Sequence, residues 1–291
     1  TLRLNRAGLW GEDARVMGTG RAFVGGAGHE FQDQWSEFGG QLTVESGGPV
    51  FHGEGSASRL TLGALDATFH GATNVGILQM QGGTLRGDGD VHVDSVMIWS
   101  GGAMTGAGRT VLGPEGFSFL NIFETISVQR QLINQGTIAW GNALFSLNGG
   151  ELRNEGLFTA ESFQGGNDAS MFGGAADGDF NNVGMFAVTG GGVTNLVRAG
   201  GDLRFHNSGL VDIQDGSLRL LGSDFTTNDG EYRMSHHGSI EVADDFTNAP
   251  NAALSFEVGA MKERGLSGLM TITGEATLAG TLSVVTPEPF S

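Results

Sequence analysis

The chain has 291 residues, 52 of them glycine and none cysteine, with a formal net charge of −17 and a single lysine, Lys262. So little clustered positive charge excludes nucleic-acid binding and attraction to an anionic membrane, and the missing thiols exclude disulfides, thiol catalysis and zinc–thiolate sites. The glycine follows no Gly-X-Y period, which excludes collagen, and 39% hydrophobic residues excludes a disordered tract.

Residues 1–38 are irregular, with Trp10, Trp35 and a glycine-rich middle, and read as an N-terminal cap or assembly segment. The first residue is Thr1, not Met, from which removal of a leader or larger precursor is expected. No apolar run approaches the ~20 residues of a membrane span, so no membrane insertion is expected.

From residue 39 a repeated phrase takes over, in which an apolar residue and one spacer precede glycine. It reads Phe51-His52-Gly53-Glu54-Gly55, Phe69-His70-Gly71, Leu85-Arg86-Gly87-Asp88-Gly89 and Met104-Thr105-Gly106-Ala107-Gly108. Between the copies lie runs alternating at period 2, which predict half-buried strands. Leu42, Leu60, Leu78 and Val96 recur at one constant step in these runs, about one coil of a solenoid, and predict a ladder of stacked coils. Hexapeptide stepping from Leu42 gives Gly48, Glu54, Leu60, Asp66 and Ala72, which is no apolar ladder and argues against a left-handed hexapeptide helix. The glycines read as corners that need a positive φ.

Residues 117–133 form the most apolar stretch and read as buried coils in preference to a lateral helix. A second phrase, Asn then Gly two places later, follows around Asn134, Asn154, Asn182 and Asn207, with Asn228 and Asn248 continuing the series. The step between successive asparagines is variable, shortest at either end of the series and longest from Asn154 to Asn182. Stacked amides are expected to fix coil register, with asparagine tolerating left-handed geometry. Leu132, Leu152, Phe180, Phe205, Phe225 and Phe246 are expected to form an apolar ladder beside them. The long step before Asn182 points to a loop at 161–179. Residues 39–249 thus read as the solenoid, and 250–291 as terminal coils and tail. The expected fold is all-β: a single-stranded parallel β-helix (β-solenoid) with about 18–28 residues per coil and ~12 to 14 coils. The handedness of parallel crossovers favours a right-handed coil.

Trp99-Ser100-Gly101-Gly102-Ala103-Met104-Thr105-Gly106-Ala107-Gly108, Leu132-Ile133-Asn134-Gln135-Gly136-Thr137-Ile138 and Leu152-Arg153-Asn154-Glu155-Gly156 resemble the β-helical repeat regions of large bacterial surface proteins, the autotransporter-passenger and filamentous-haemagglutinin-like adhesins. Residues 272–284 resemble the final coil of such passengers, and Thr286-Pro287-Glu288-Pro289 resembles part of a sorting signal of exported, polysaccharide-associated bacterial proteins. The resemblance implies an extracellular location and a non-catalytic role as adhesin segment, stalk or fibre subunit of a surface or biofilm matrix.

Few residues stand out as chemistry. Arg86-Gly87-Asp88 matches an adhesion tripeptide, but as part of the repeat it aligns with His52-Gly53-Glu54 and Thr105-Gly106-Ala107. Asp88, Asp90 and Asp94 form the candidate calcium site, with Asp177-Gly178-Asp179 a second acidic turn; the expected cofactor is otherwise none. His236-His237, near Glu231, Asp244 and Asp245, are the candidate metal or acid–base cluster; adjacent histidines on a strand face opposite ways, so one is expected to face inward or sit at a corner. Trp99 and Trp140 are candidate rings for stacking on sugars if exposed, and fill the core if buried, which is the preferred reading. The expected partners are further copies of the chain, stacked end to end, other matrix components or polysaccharide. The alternatives are a carbohydrate-active β-helix enzyme, although no carboxylate pair is singled out by spacing, and a calcium-dependent polysaccharide-binding module.

Overall fold

The computed structural model describes residues 1–4, 8–10, 16–26, 28–32, 36–120, 125–141, 144–161, 168–222, 227–258 and 268–286. Trp35, Phe225 and Lys262 lie outside the described residues, as does 162–167 within the expected loop. Among the described residues there is no helix; parallel strands stack in about 11 turns of a β-solenoid. Asn248 pairs with Leu278, a longer step than any between the asparagines.

Two compact units divide the chain, Thr1–Thr137 and Ile138–Ser291. In the first, the stretch read as irregular already carries strands: Leu2–Leu4 pairs with Arg21–Val24, and Gly8–Trp10 with His29–Phe31. Arg21–Val24 then pairs with Ser36–Val44, which pairs with Gly55–Leu62. Every one of these pairings is parallel, as a coil that returns to the same face requires. Alternation does the sorting. In Gly55–Leu62, Ala57, Leu60 and Leu62 turn inward while Ser58 and Arg59 stay partly or fully exposed. Rings stack in register, Trp10 on Phe31 at 5.8 Å, Phe31 on Phe51 at 4.7 Å and Phe51 on Phe69 at 4.9 Å, all within 10° of parallel.

The predicted leucine ladder holds for three rungs and then shifts. Leu42 pairs with Leu60 and Leu60 with Leu78, but Leu78 pairs with Met97, and Val96 pairs with Ile77. Where Gly76 alone separates Val75 from Ile77, both Asp94 and Ser95 separate their partners Val93 and Val96. This bulge moves the pairing of Ile77 to Met80 by one place, and Met97 becomes the buried rung. The glycine phrase also slides. Arg86 pairs with Thr68, so Gly87 lies over Phe69 and Asp88 over His70. A slide of two places keeps each side chain on its own face, and it ends the ring stack at a residue with no ring.

In the second unit each coil contributes three strands. The first ladder runs Glu151–Asn154, Gly178–Asn182, Leu203–Asn207, Thr227–Asn228, Phe246–Asn248 and Ala276–Leu278. The second runs Leu157–Glu161, Met185–Thr189, Leu210–Ile213, Glu231–Met234, Ala253–Glu257 and Thr281–Val285. The third runs Leu144–Ser146, Ala169–Gly174, Val193–Gly200, Gly216–Leu221, Gly238–Val242 and Leu269–Ile272. The expected 161–179 loop therefore contains a rung of the third ladder and the start of a rung of the first. Leu152, Phe180 and Phe205 pair in register and are buried, as is Phe246. The 117–133 stretch, in the first unit, is strand at Phe117–Leu120 and Thr125–Asn134.

Candidate functional site

The asparagines of the second phrase are buried, and those of the second unit are joined. Asn154 Nδ2 donates to Asn182 Oδ1 at 2.8 Å, Asn182 to Asn207 at 2.8 Å, Asn207 to Asn228 at 2.8 Å and Asn228 to Asn248 at 2.7 Å. The second amide proton goes to backbone: Asn154 to Met185 O at 2.9 Å, Asn182 to Leu210 O at 3.0 Å and Asn207 to Glu231 O at 3.2 Å. Asn134 is buried in the first unit. No described residue other than glycine has a positive φ, so asparagine is here for its amide and not for left-handed geometry.

The glycine two places after asparagine is not a positive-φ corner either. A Cβ at Gly184 would lie 2.2 Å from Gly156 O, one at Gly209 would lie 2.1 Å from Gly184 O, and one at Gly230 would lie 2.1 Å from Gly209 O. These glycines are required because successive backbones nearly touch. In the first phrase Gly87 and Gly106 do have positive φ, of 109° and 99°.

The candidate calcium residues are not free for an ion at two of three positions. Asp88 Oδ1 lies 2.5 Å from His70 Nδ1, and that hydrogen bond holds the Asp88 carboxyl below its usual value. Asp90 accepts from Arg109 Nε at 3.0 Å and from Arg109 N at 2.8 Å, and the same guanidinium keeps its carboxyl low. Asp94 is exposed on the bulge. A guanidinium thus occupies Asp90, where the calcium reading puts an ion. Arg86 of the adhesion tripeptide pairs with Asp66 at 2.6 Å, so both its charged residues are tied to the neighbouring coil. Trp99 and Trp140 are fully buried, and Trp99 Nε1 donates to Gly101 O at 3.1 Å. Neither offers a ring face to a sugar, because both lie inside, where large rings fill the core.

His236 and His237 are not on a strand. They form the turn between Glu231–Met234 and Gly238–Val242, so their rings lie together at 4.0 Å instead of on opposite faces. His236 Nδ1 is 3.5 Å from Glu257 Oε2. Among the described residues, no group of three or more His, Asp and Glu side chains is placed to hold a metal ion.

Two features escaped the sequence reading. Arg130 is buried, with Nε donating to Gly108 O at 2.6 Å and Nη2 to Gly89 O at 2.7 Å. Burial lowers its guanidinium to about 10. A Cβ at Gly108 would lie 2.4 Å from its Nη2, so the glycine column makes the room. The other is a groove of about 470 Å³ on the second ladder of the second unit, lined by Asp212, Glu231, Arg233, Ser255, Phe256 and Glu257 among others. Asp212 is only 8% exposed although it lies outward between Val211 and Ile213, and its Oδ2 accepts from Gln214 Nε2 at 2.9 Å. Glu231 Oε1 accepts from Arg233 Nε at 3.3 Å and from Ser255 Oγ at 3.1 Å. A shallower hollow of about 440 Å³ lies on the third ladder, past the His236-His237 turn. The only sequence signal for the groove was charge at the outward positions of half-buried runs, Asp212 in Leu210-Val211-Asp212-Ile213 and both Glu231 and Arg233 in Glu231-Tyr232-Arg233-Met234. No family model, curated protein or solved structure matches the chain.

Proposed function

We propose that the chain is a non-catalytic structural β-solenoid of a bacterial surface or extracellular matrix, an adhesin segment, stalk or fibre subunit that extends by stacking one coil on another. The observation that carries this is the coil formed by Leu269–Ile272, Ala276–Leu278 and Thr281–Val285. Its ladder positions continue the core, yet they face solvent: Leu282 is 67% exposed, while its partner Leu254 is 4% exposed. Leu278, paired with buried Asn248, is 60% exposed. A further coil laid on this rung would bury these side chains, each worth about 1.5–3 kcal/mol when fully covered, and would satisfy a parallel strand edge. A heterologous contact of this kind propagates. The surface assignment rests on the resemblance of the repeats to bacterial adhesin coils.

Electron microscopy and sedimentation of the purified chain test the reading. Expected are fibres or head-to-tail oligomers that grow with concentration and are lost in Leu282→Glu. Monodisperse monomers at all concentrations would count against stacking.

A further inference from the structure

The groove on the second ladder begins three coils before the stacking rung and reaches it only at Ser283 and Val285. Its middle row is in register across four coils: Asp212 pairs with Arg233, Arg233 with Ser255 and Ser255 with Ser283. Three strand spacings of ~4.8 Å make that row about 14 Å long, so the groove suits an extended ligand lying across the strands. Carboxylates only accept hydrogen bonds, a guanidinium only donates, and serine hydroxyls do both. A ligand that meets all three along one line must donate and accept repeatedly, which is the chemistry of a polyhydroxylated chain. Phe256, which is half-buried, and Val285 add apolar contact beside these groups.

Charge narrows the class. Asp212, Glu231 and Glu257 face one cation, Arg233, which Glu231 already holds. That balance opposes an acidic glycan or a phosphate backbone. Arg233 in the middle of the row opposes a polyamine or a lysine-rich peptide. We infer that this groove binds a short stretch of neutral glycan chain, with Asp212 at one end of the row and Arg233 beside it as its principal polar contacts. Asp212 is nine-tenths buried and already oriented by Gln214, so it is fixed before a ligand arrives.

The test is calorimetric titration of the full chain with cellohexaose, laminarihexaose, maltohexaose and mannohexaose, with oligogalacturonate and spermine as charged controls. Expected is saturable binding of at least one neutral oligosaccharide and of neither control. That binding should weaken at least tenfold in both Asp212→Asn and Arg233→Gln, each retaining the parent circular dichroism and the parent assembly behaviour. No binding of any neutral oligosaccharide at millimolar concentration overturns the inference. So does tighter binding of a charged control, or neutral binding unchanged in both variants. Asp212 lies three coils away from the stacking rung, so its substitution leaves fibre formation intact, whereas Leu282→Glu alters only the end of the groove at Ser283 and Val285 and leaves the Asp212 and Arg233 contacts in place.

Discussion

At the scale of single residues, the asparagine column shows how a polar group can stabilise a dry interior. Each amide gives one proton to the next amide and one to a neighbouring carbonyl, so the buried polar atoms are satisfied by repetition. Removing one rung leaves Asn182 with an amide proton that has lost its acceptor and Glu231 O without its amide donor. Asn207→Ala is therefore expected to cost about 2–4 kcal/mol in urea denaturation, and Asn248→Ala less, since it has an asparagine partner on one side only. Asn207→Asp should be worse than Ala, because a carboxylate cannot donate to Asn228 and brings an unpaired charge inside. Tyr232 gives a second residue-level test, as it is the one tyrosine of the chain. Burial pushes its phenol above the usual value. A raised folded pKa here means the neutral phenol is favoured by folding and the charged phenolate by unfolding. Stability is therefore unaffected below the unfolded value of ~10 and falls as pH rises beyond it. Phenolate absorbance should appear together with loss of the β-sheet dichroism in an alkaline titration, not in a separate earlier step.

At the scale of the strand and its corner, spacing matters more than residue class. Glycines at two kinds of position look identical in sequence but have different causes. Gly87 and Gly106 combine positive φ with close approach to the carbonyl of the coil beneath, whereas Gly184, Gly209 and Gly230 are required by that close approach alone. Gly209→Ala should cost at least ~2 kcal/mol and slow refolding, because only backbone movement relieves the contact. Gly20→Ala, with open space around its Cβ and no positive φ, should change stability by less than ~0.5 kcal/mol. Arginines on the outer faces pair with carboxylates one coil away, as in Arg204–Asp179 at 2.7 Å and Arg219–Glu241 at 3.0 Å. Exposed pairs of this kind contribute little to stability, but a mismatch of sign in a slipped register would cost each of them. The low carboxyls of Asp88 and Asp90 belong to the same pattern. Their folded values are depressed, so their contribution is present at neutral pH and is lost as pH falls below ~4. A fall in thermal midpoint below that pH, reduced in Asp90→Asn, checks this.

At the scale of the whole chain, a repeat whose units cannot bury their own apolar stripe makes stacking compulsory, and the exposed Leu278 and Leu282 are where the proposed further coil would stack. The period-2 runs, the glycine phrases and the asparagine series were enough to establish the parallel β-solenoid, because burial alternates with every residue and recurs with every coil. They also identified the five asparagines of the second unit, Asn154 to Asn248, that come to lie in one column. Register was beyond them. One added residue at Asp94-Ser95 moved the ladder from Val96 to Met97, and a two-place slide carried Asp88 over His70. Pairing between distant coils decides which residues meet, and spacing does not encode a bulge. Nor could spacing show that Trp99 and Trp140 point inward, or that His236 and His237 share a turn. The groove was the least legible of all. Asp212, Arg233 and Ser255 stand a full coil apart in sequence and become neighbours only when three coils pair. The sequence by itself determined the architecture, since that follows from local periodicity. Tertiary structure alone decided the site, since a site on a solenoid is written across coils and not along the chain.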